Sequence, residues 1–331
     1  MDKPKVPRES DAYVKLRREL LPPERVRELS RLKPWRLAID TAVCWAMICG
    51  AWALVAFKPT WWSVLLAIPI VGTRYYALWV IGHDGLHRRL FSKTKHSDLF
   101  SDLFVFGAIG AITRLNNRNH LDHHLHLATS LDPDRHKHGS FNKTSLFELI
   151  GFLTGASSLL RSVKNVFTKK AGSSGTAPTR RYTLRDVVIL LAWQVALIGG
   201  LTWSIGIWAW PVLWLFPVYV FTFLGDNARA FVEHSHPESD ALADRHRLVS
   251  VISNPVERLF FAPMNMNLHT AHHLWPSIPY YNLPTADGEM RLLPAALEID
   301  TRRSYVGYIW HYMRNLRSQR DGAEPSSVSS A

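Results

Sequence analysis

The chain has 331 residues, 47% of them hydrophobic, with 13 tryptophans and a formal charge of +12. A mean hydropathy of -0.05 excludes a protein buried wholly in lipid and fits a few apolar segments joined to a large polar part. A pI near 9.8 suits an anionic membrane surface or an acidic protein partner. Nucleic acid is set aside, because the chain has neither zinc-finger spacing nor an aromatic–basic RNA-binding pattern. Its two cysteines, Cys44 and Cys49, both lie in an apolar run; they offer no disulfide framework and place the polar part in a reducing compartment.

Residues 1–36 read as a polar, basic N-terminal arm without the apolar core of a signal peptide. Four apolar stretches follow, at 37–57, 61–81, 187–208 and 210–231, the last most apolar up to Leu224. The first three are near the ~20 residues that a helix needs to cross ~30 Å of hydrocarbon. Their links (Lys58, Pro59 and Thr60; Trp208 to Pro211) are short, so the stretches predict two tight membrane hairpins, with Pro217 kinking the fourth helix. Lys and Arg crowd the arm, the middle segment and the C-terminal part but not the hairpin tips. The positive-inside tendency therefore puts both termini and the middle segment in the cytoplasm. The predicted fold is all-α and multi-pass: four transmembrane helices under a cytoplasmic helical cap, within one domain at 37–320. Between the hairpins, 99–112 and 146–160 are too short to span and predict interfacial or cap-packed helices, with a re-entrant segment as the alternative for the second. Residues 169–181 read as a flexible basic loop, and 321–331 as a disordered tail.

Of the 16 histidines, eight fall in three boxes: His83-Asp84-Gly85-Leu86-His87, His120-Leu121-Asp122-His123-His124 and His269-Thr270-Ala271-His272-His273. Residues at i, i+3 and i+4 share a helix face, so each box can present two or three imidazoles together. Neutral imidazole is a good ligand for iron, zinc or copper, and eight imidazoles exceed what one ion takes, which implies two metals. The shell also lacks the thiolates of a structural zinc site. Box one follows the second stretch, box two lies in the middle segment, and box three follows the fourth stretch, so all three are predicted on one side of the membrane. Asp84, Asp122, Asp132, Asp134 and Glu233 are candidates to accept the second ring N–H of a ligating histidine. His126 is assigned to the surroundings of box two, and His96, His136, His138, His246 and His311 to the surface. Arg74, in the middle of the second stretch, needs a polar partner, with Asp40 and Asp226 as candidates.

These boxes, in this order and in this relation to two hairpins, resemble the membrane fatty acid desaturase and hydroxylase superfamily over about residues 37–283. The resemblance implies a non-haem di-iron centre held by His83, His87, His120, His123, His124, His269, His272 and His273. It also implies a ninth histidine before the third box, here His234, with His236 as the competitor. The Asn that some members carry one turn earlier is replaced by Ala230. The implied activity is O2-dependent desaturation of a fatty acyl or other lipid chain at the bilayer. With no ferredoxin cysteines, haem-binding segment or flavin fingerprint in the chain, electrons are expected from a separate ferredoxin or small cytochrome. Hydroxylase or carotenoid ketolase chemistry, and desaturation of a small amino-acid-derived substrate, remain open alternatives. A metalloprotease would need His-Glu-x-x-His, and box one has Asp84 and three intervening residues. A non-enzymatic haem or zinc membrane protein is the more distant reading.

Overall fold

A computed structural model describes residues 13–127, 131–134, 145–157, 160, 181–235 and 248–320. The expected basic loop, apart from Arg181, and the C-terminal tail lie outside them. The described chain is mostly helical, with one departure from an all-α fold: β1 (Ser250–Val251) pairs in parallel with β2 (Thr301–Arg302).

The arm is packed rather than free along its second half. Helices α1 (Tyr13–Leu20) and α2 (Pro23–Leu29) bury Leu20, Leu21 and Leu29 in one cluster with Leu274, Trp275 and Leu283. Arg25 Nε reaches Glu289 at 2.9 Å.

Among the described residues, three helices are long and apolar enough to cross a membrane. Helix α3 (Pro34–Phe57) starts earlier than the apolar run because Pro34 can occupy the first turn, where its missing N–H is not needed. Helix α4 (Trp61–Leu86) begins at a reciprocal cap between Thr60 and Ser63. It does not stop at Ile81 as its hydropathy suggested. Gly82 and Gly85 let its last turns press onto the next element: a Cβ at Gly82 would lie 2.8 Å from Val105, and one at Gly85 2.6 Å from Ser101. At 26 residues the helix is ~39 Å long, longer than the ~30 Å that spanning hydrocarbon requires.

Helix α5 (Thr94–Phe104) and a 3-10 turn (Phe106–Ile109) occupy the first short apolar patch. The last carbonyls of α5 have no partner within their own helix. Trp193 Nε1 donates to Leu103 O at 2.8 Å, Trp45 Nε1 to Phe104 O at 2.9 Å, and Tyr75 OH to Val105 O at 2.8 Å. Aromatic side chains of the apolar helices thus hold this segment with their polar atoms. Asp102, 1% exposed, then accepts from Thr113 N at 2.7 Å and Thr113 Oγ1 at 2.6 Å, which fixes the start of α6 (Thr113–His126). Arg185 closes the same carboxylate at 2.7 Å.

Helix α7 (Leu146–Leu153) opens on a Ser145–Glu148 capping box and leaves Phe147 exposed. The third long helix, α8 (Leu184–Ser204), starts three residues before the expected boundary, because Thr183 and Asp186 cap each other. It ends four residues before it, at a turn where Gly206 has φ +136°, a conformation favoured by glycine. The fourth apolar stretch is helical but wide. Two π-helical stretches, Pro211–Leu215 and Val218–Leu224, flank Pro217. Proline lacks an N–H and crowds the preceding turn, and wider turns relieve both effects. Gly72 of α4 admits this element, since a Cβ there would lie 2.2 Å from the Phe221 ring.

The path continues into α9 (Gly225–His234), α10 (Pro255–Phe261), α11 (His269–Leu274), α12 (Leu283–Arg291) and α13 (Tyr305–Arg320). Arg74 pairs with neither candidate: Asp40 accepts from Arg36 Nε at 2.9 Å and Tyr280 OH at 2.7 Å, and Asp226 is taken by Arg229.

Asp102→Ala removes one acceptor shared by α5, α6 and α8. A loss of about 2–3 kcal/mol is expected for buried, charge-assisted bonds, read as a lowered thermal midpoint of the detergent-solubilised protein.

Candidate metal centre

Box one lies on the last turns of α4, box two on α6 and box three on α11, with His234 at the end of α9. All nine predicted imidazoles meet, in two groups. His83, His87, His120, His124 and His272 form the first; His123, His234 and His273 form the second. His269 adjoins the second, its Nε2 2.9 Å from Nε2 of His234.

The boxes do not each serve one point. On α6, His120 and His124 are one turn apart and face the first group, while His123, turned about 100° from its neighbour, faces the second. On α11 the assignment is reversed: His269 and His273 face the second group and His272 the first. His124 and His273 stack between the groups at 4.0 Å.

The nitrogen spacing is informative. Nε2 atoms stand 2.8 Å apart for His87 and His120, 3.2 Å for His120 and His124, and 3.2 Å for His124 and His272. Two nitrogens bound to one ion at ~2.1 Å and at right angles stand about 3.0 Å apart. Burial, reinforced by neighbouring imidazoles, holds His124, His272 and His273 well below the usual histidine range, and burial pushes His87 down to about 3. The rings are therefore neutral, as ligation needs. Nε2 of His273 is buried without a hydrogen-bond partner, a ring nitrogen left over beside His123 and His234. The donor set thus fits two transition-metal ions with imidazole ligands.

Two of the carboxylate candidates back a histidine. Asp132 Oδ1 lies 3.0 Å from His123 Nδ1, and Glu233 Oε2 lies 3.2 Å from His269 Nδ1. Asp84 instead accepts from Tyr280 N at 2.8 Å. Asp122 faces Arg118 at 3.7 Å on an exposed surface, and Asp134 donates its N–H to Asp132 at 2.8 Å. His126 ends α6 outside both groups, His96 is exposed, and His311 lies 3.1 Å from Asn315 Nδ2 on α13. His136, His138, His236 and His246 lie outside the described residues.

A cavity of about 220 Å³ opens onto both groups. Trp79, Leu86, Phe106 and Ala111 give it an apolar wall, and Asn116, Asp226 and Arg229 a polar one; Ala230 also lines it. Sequence reasoning did not single out Arg229 or Tyr305 near the second group. The signal was available for Arg229: Asp226, Arg229 and Glu233 repeat at helical spacing on the helix that leads to His234.

The sequence model of the fatty acid desaturase family matches residues 59–302. The chain is 24% identical over 326 residues to an sn-1 oleoyl-lipid 12-desaturase of a Picosynechococcus species, covering 90% of this chain and 86% of the relative. It is 25% identical over 254 residues to an sn-1 acyl-lipid omega-3 desaturase (ferredoxin) of a Nostoc species, covering 70% and 68%. An sn-1 oleoyl-lipid 12-desaturase of Anabaena variabilis is 23% identical over 294 residues, covering 80% and 78%.

Asp132→Ala releases the Nδ1 side of His123. Metal retention is expected to weaken by about 10–100-fold, read as metal per chain remaining after dialysis against a graded chelator.

Proposed function

The chain belongs to the fatty acid desaturase family and is an oxidoreductase, and from that premise we propose that it is an O2-dependent desaturase that introduces a double bond into a fatty acyl or other lipid chain. The observation that carries this reading is the gathering of nine imidazoles in two groups at a cavity with one apolar wall. Two irons at His83, His87, His120, His124 and His272 and at His123, His234, His269 and His273 would supply the oxidising power, drawn from O2, that unactivated C–H bonds require.

The chain's own residues do the rest. Trp79, Leu86, Phe106 and Ala111 present an apolar surface to an alkyl segment and keep water from it. His83 and His123 line the same cavity, so a chain laid along that wall passes both groups. Asp132 and Glu233 keep two rings in fixed orientations.

In this reading the path from Pro211 to Leu224 is a fourth crossing that completes a second hairpin with α8. Exposed Leu215, Phe216, Tyr219 and Phe223 on that path support it. The basic arm and cap then face the cytoplasm. A separate donor delivers the electrons. The ferredoxin in the Nostoc relative's name and the +12 charge of this chain support an acidic one-electron carrier.

The test is expression in a host of defined lipid content, with iron analysis and mass spectrometry of lipids and metabolites against His123→Ala. About two irons per chain and a product two hydrogens lighter are expected, both diminished in the variant. A product heavier by one oxygen would assign hydroxylation instead, and active protein without a transition metal would end the di-iron reading.

A further inference from the structure

Glu233 is fully buried, and both of its oxygens are engaged. Oε1 accepts from Tyr305 OH at 2.8 Å. Oε2 accepts from Arg229 Nη1 at 2.8 Å and lies 3.2 Å from His269 Nδ1. Charge balance alone does not explain a second carboxylate here. Asp226 already meets the Arg229 guanidinium, through Nη2 at 2.8 Å and Nε at 3.3 Å. Burying another carboxyl is costly unless it does something further.

The geometry around His269 shows what the further role is. An ionised carboxylate only accepts hydrogen bonds, so a proton shared between Glu233 and His269 sits on Nδ1. Nε2 is then bare, and it points to Nε2 of His234 at 2.9 Å. Arg229 Nη1 also lies 3.4 Å from Nδ1, but that contact is the longer one, and Nη1 already donates to Glu233. The backbone beside the carboxylate is held as well. Arg302 donates to Val232 O and Ser235 O, on either side of Glu233 and His234, and its guanidinium lies 3.7 Å over the Tyr308 ring.

We propose that Glu233 is a positioning residue for the second imidazole group: it takes the Nδ1–H of His269 and so turns the bare Nε2 toward the metal, with Arg229 and Tyr305 holding the carboxylate in place. This rests on the di-iron reading above. In the first group, Nδ1 of His83, His124 and His272 is buried without a hydrogen-bond partner, so those three rings have no counterpart of Glu233.

Iron per chain is the readout, measured by elemental analysis of purified protein exposed to Fe(II) and desalted. The wild type is expected to hold about two irons and Glu233→Leu about one. Glu233→Gln, which keeps an acceptor oxygen, is expected to fall between them. The double variant Glu233→Leu with Arg229→Met leaves no unmatched guanidinium and is expected to stay near one. Two irons in Glu233→Leu, or two restored in the double variant, would overturn the assignment; the second result would make Glu233 a counter-charge only. Loss of both irons, a Gln variant no better than Leu, or failure of both Leu-containing variants to fold would make the role structural and overturn it too. A wild type without iron would instead remove the di-iron reading, and this inference with it.

Discussion

Neutral imidazole nitrogens with lone pairs turned toward one another repel, and they gain nothing from the meeting until a cation stands between them. The remaining architecture can be understood as the means of enforcing that meeting. Helix α4 runs on past its apolar stretch so that His83 and His87 stand at its end. Asp102 fixes the start of the helix that carries His120, His123 and His124. Thr270 N bonds Ser250 Oγ at 3.2 Å and Val251 N bonds Asn267 O at 2.9 Å, which ties the third box to the short β pair. Each constraint comes from a different part of the chain, so no single box determines the geometry.

The division of labour between α6 and α11 follows from helical geometry. A pair four residues apart faces one way, and the residue adjacent to that pair faces another. Two such helices packed against each other place a pair and a single imidazole at each group, in opposite senses. Box one then adds a pair to the first group and His234 adds one to the second. Groups of five and four imidazoles result from three similar motifs and the separate His234, and the two groups differ in their surroundings as well. The second has carboxylates behind His123 and His269.

Much of this was legible in the sequence. Histidine spacing named eight of the imidazoles, the family resemblance supplied His234, and apolar run length located the three long helices. What the sequence concealed has physical reasons. The end of α4 is set by glycines pressed against α5, a tertiary contact that hydropathy does not register. The widened turns around Pro217 depend on how one proline is accommodated by its neighbours. Which carboxylates reach a ring nitrogen depended on packing across the chain: Asp84 sits inside a box yet bonds Tyr280, whereas Asp132 lies eight residues past the last histidine of its box and bonds the box from outside. The hydropathy of the arm gave no sign that Leu20, Leu21 and Leu29 would cover the outer side of the third box.

The three aromatic donors on the last carbonyls of α5 couple two regions usually considered apart. Trp45, Tyr75 and Trp193 belong to three different long helices, yet all three grip successive residues just before Phe106, and Phe106 packs on Trp79 at 5.4 Å in the cavity wall. The shape of the cavity is therefore pinned to the mutual tilt of the three long apolar helices. Any change in how those helices lean reshapes the cavity without touching one of the nine imidazoles.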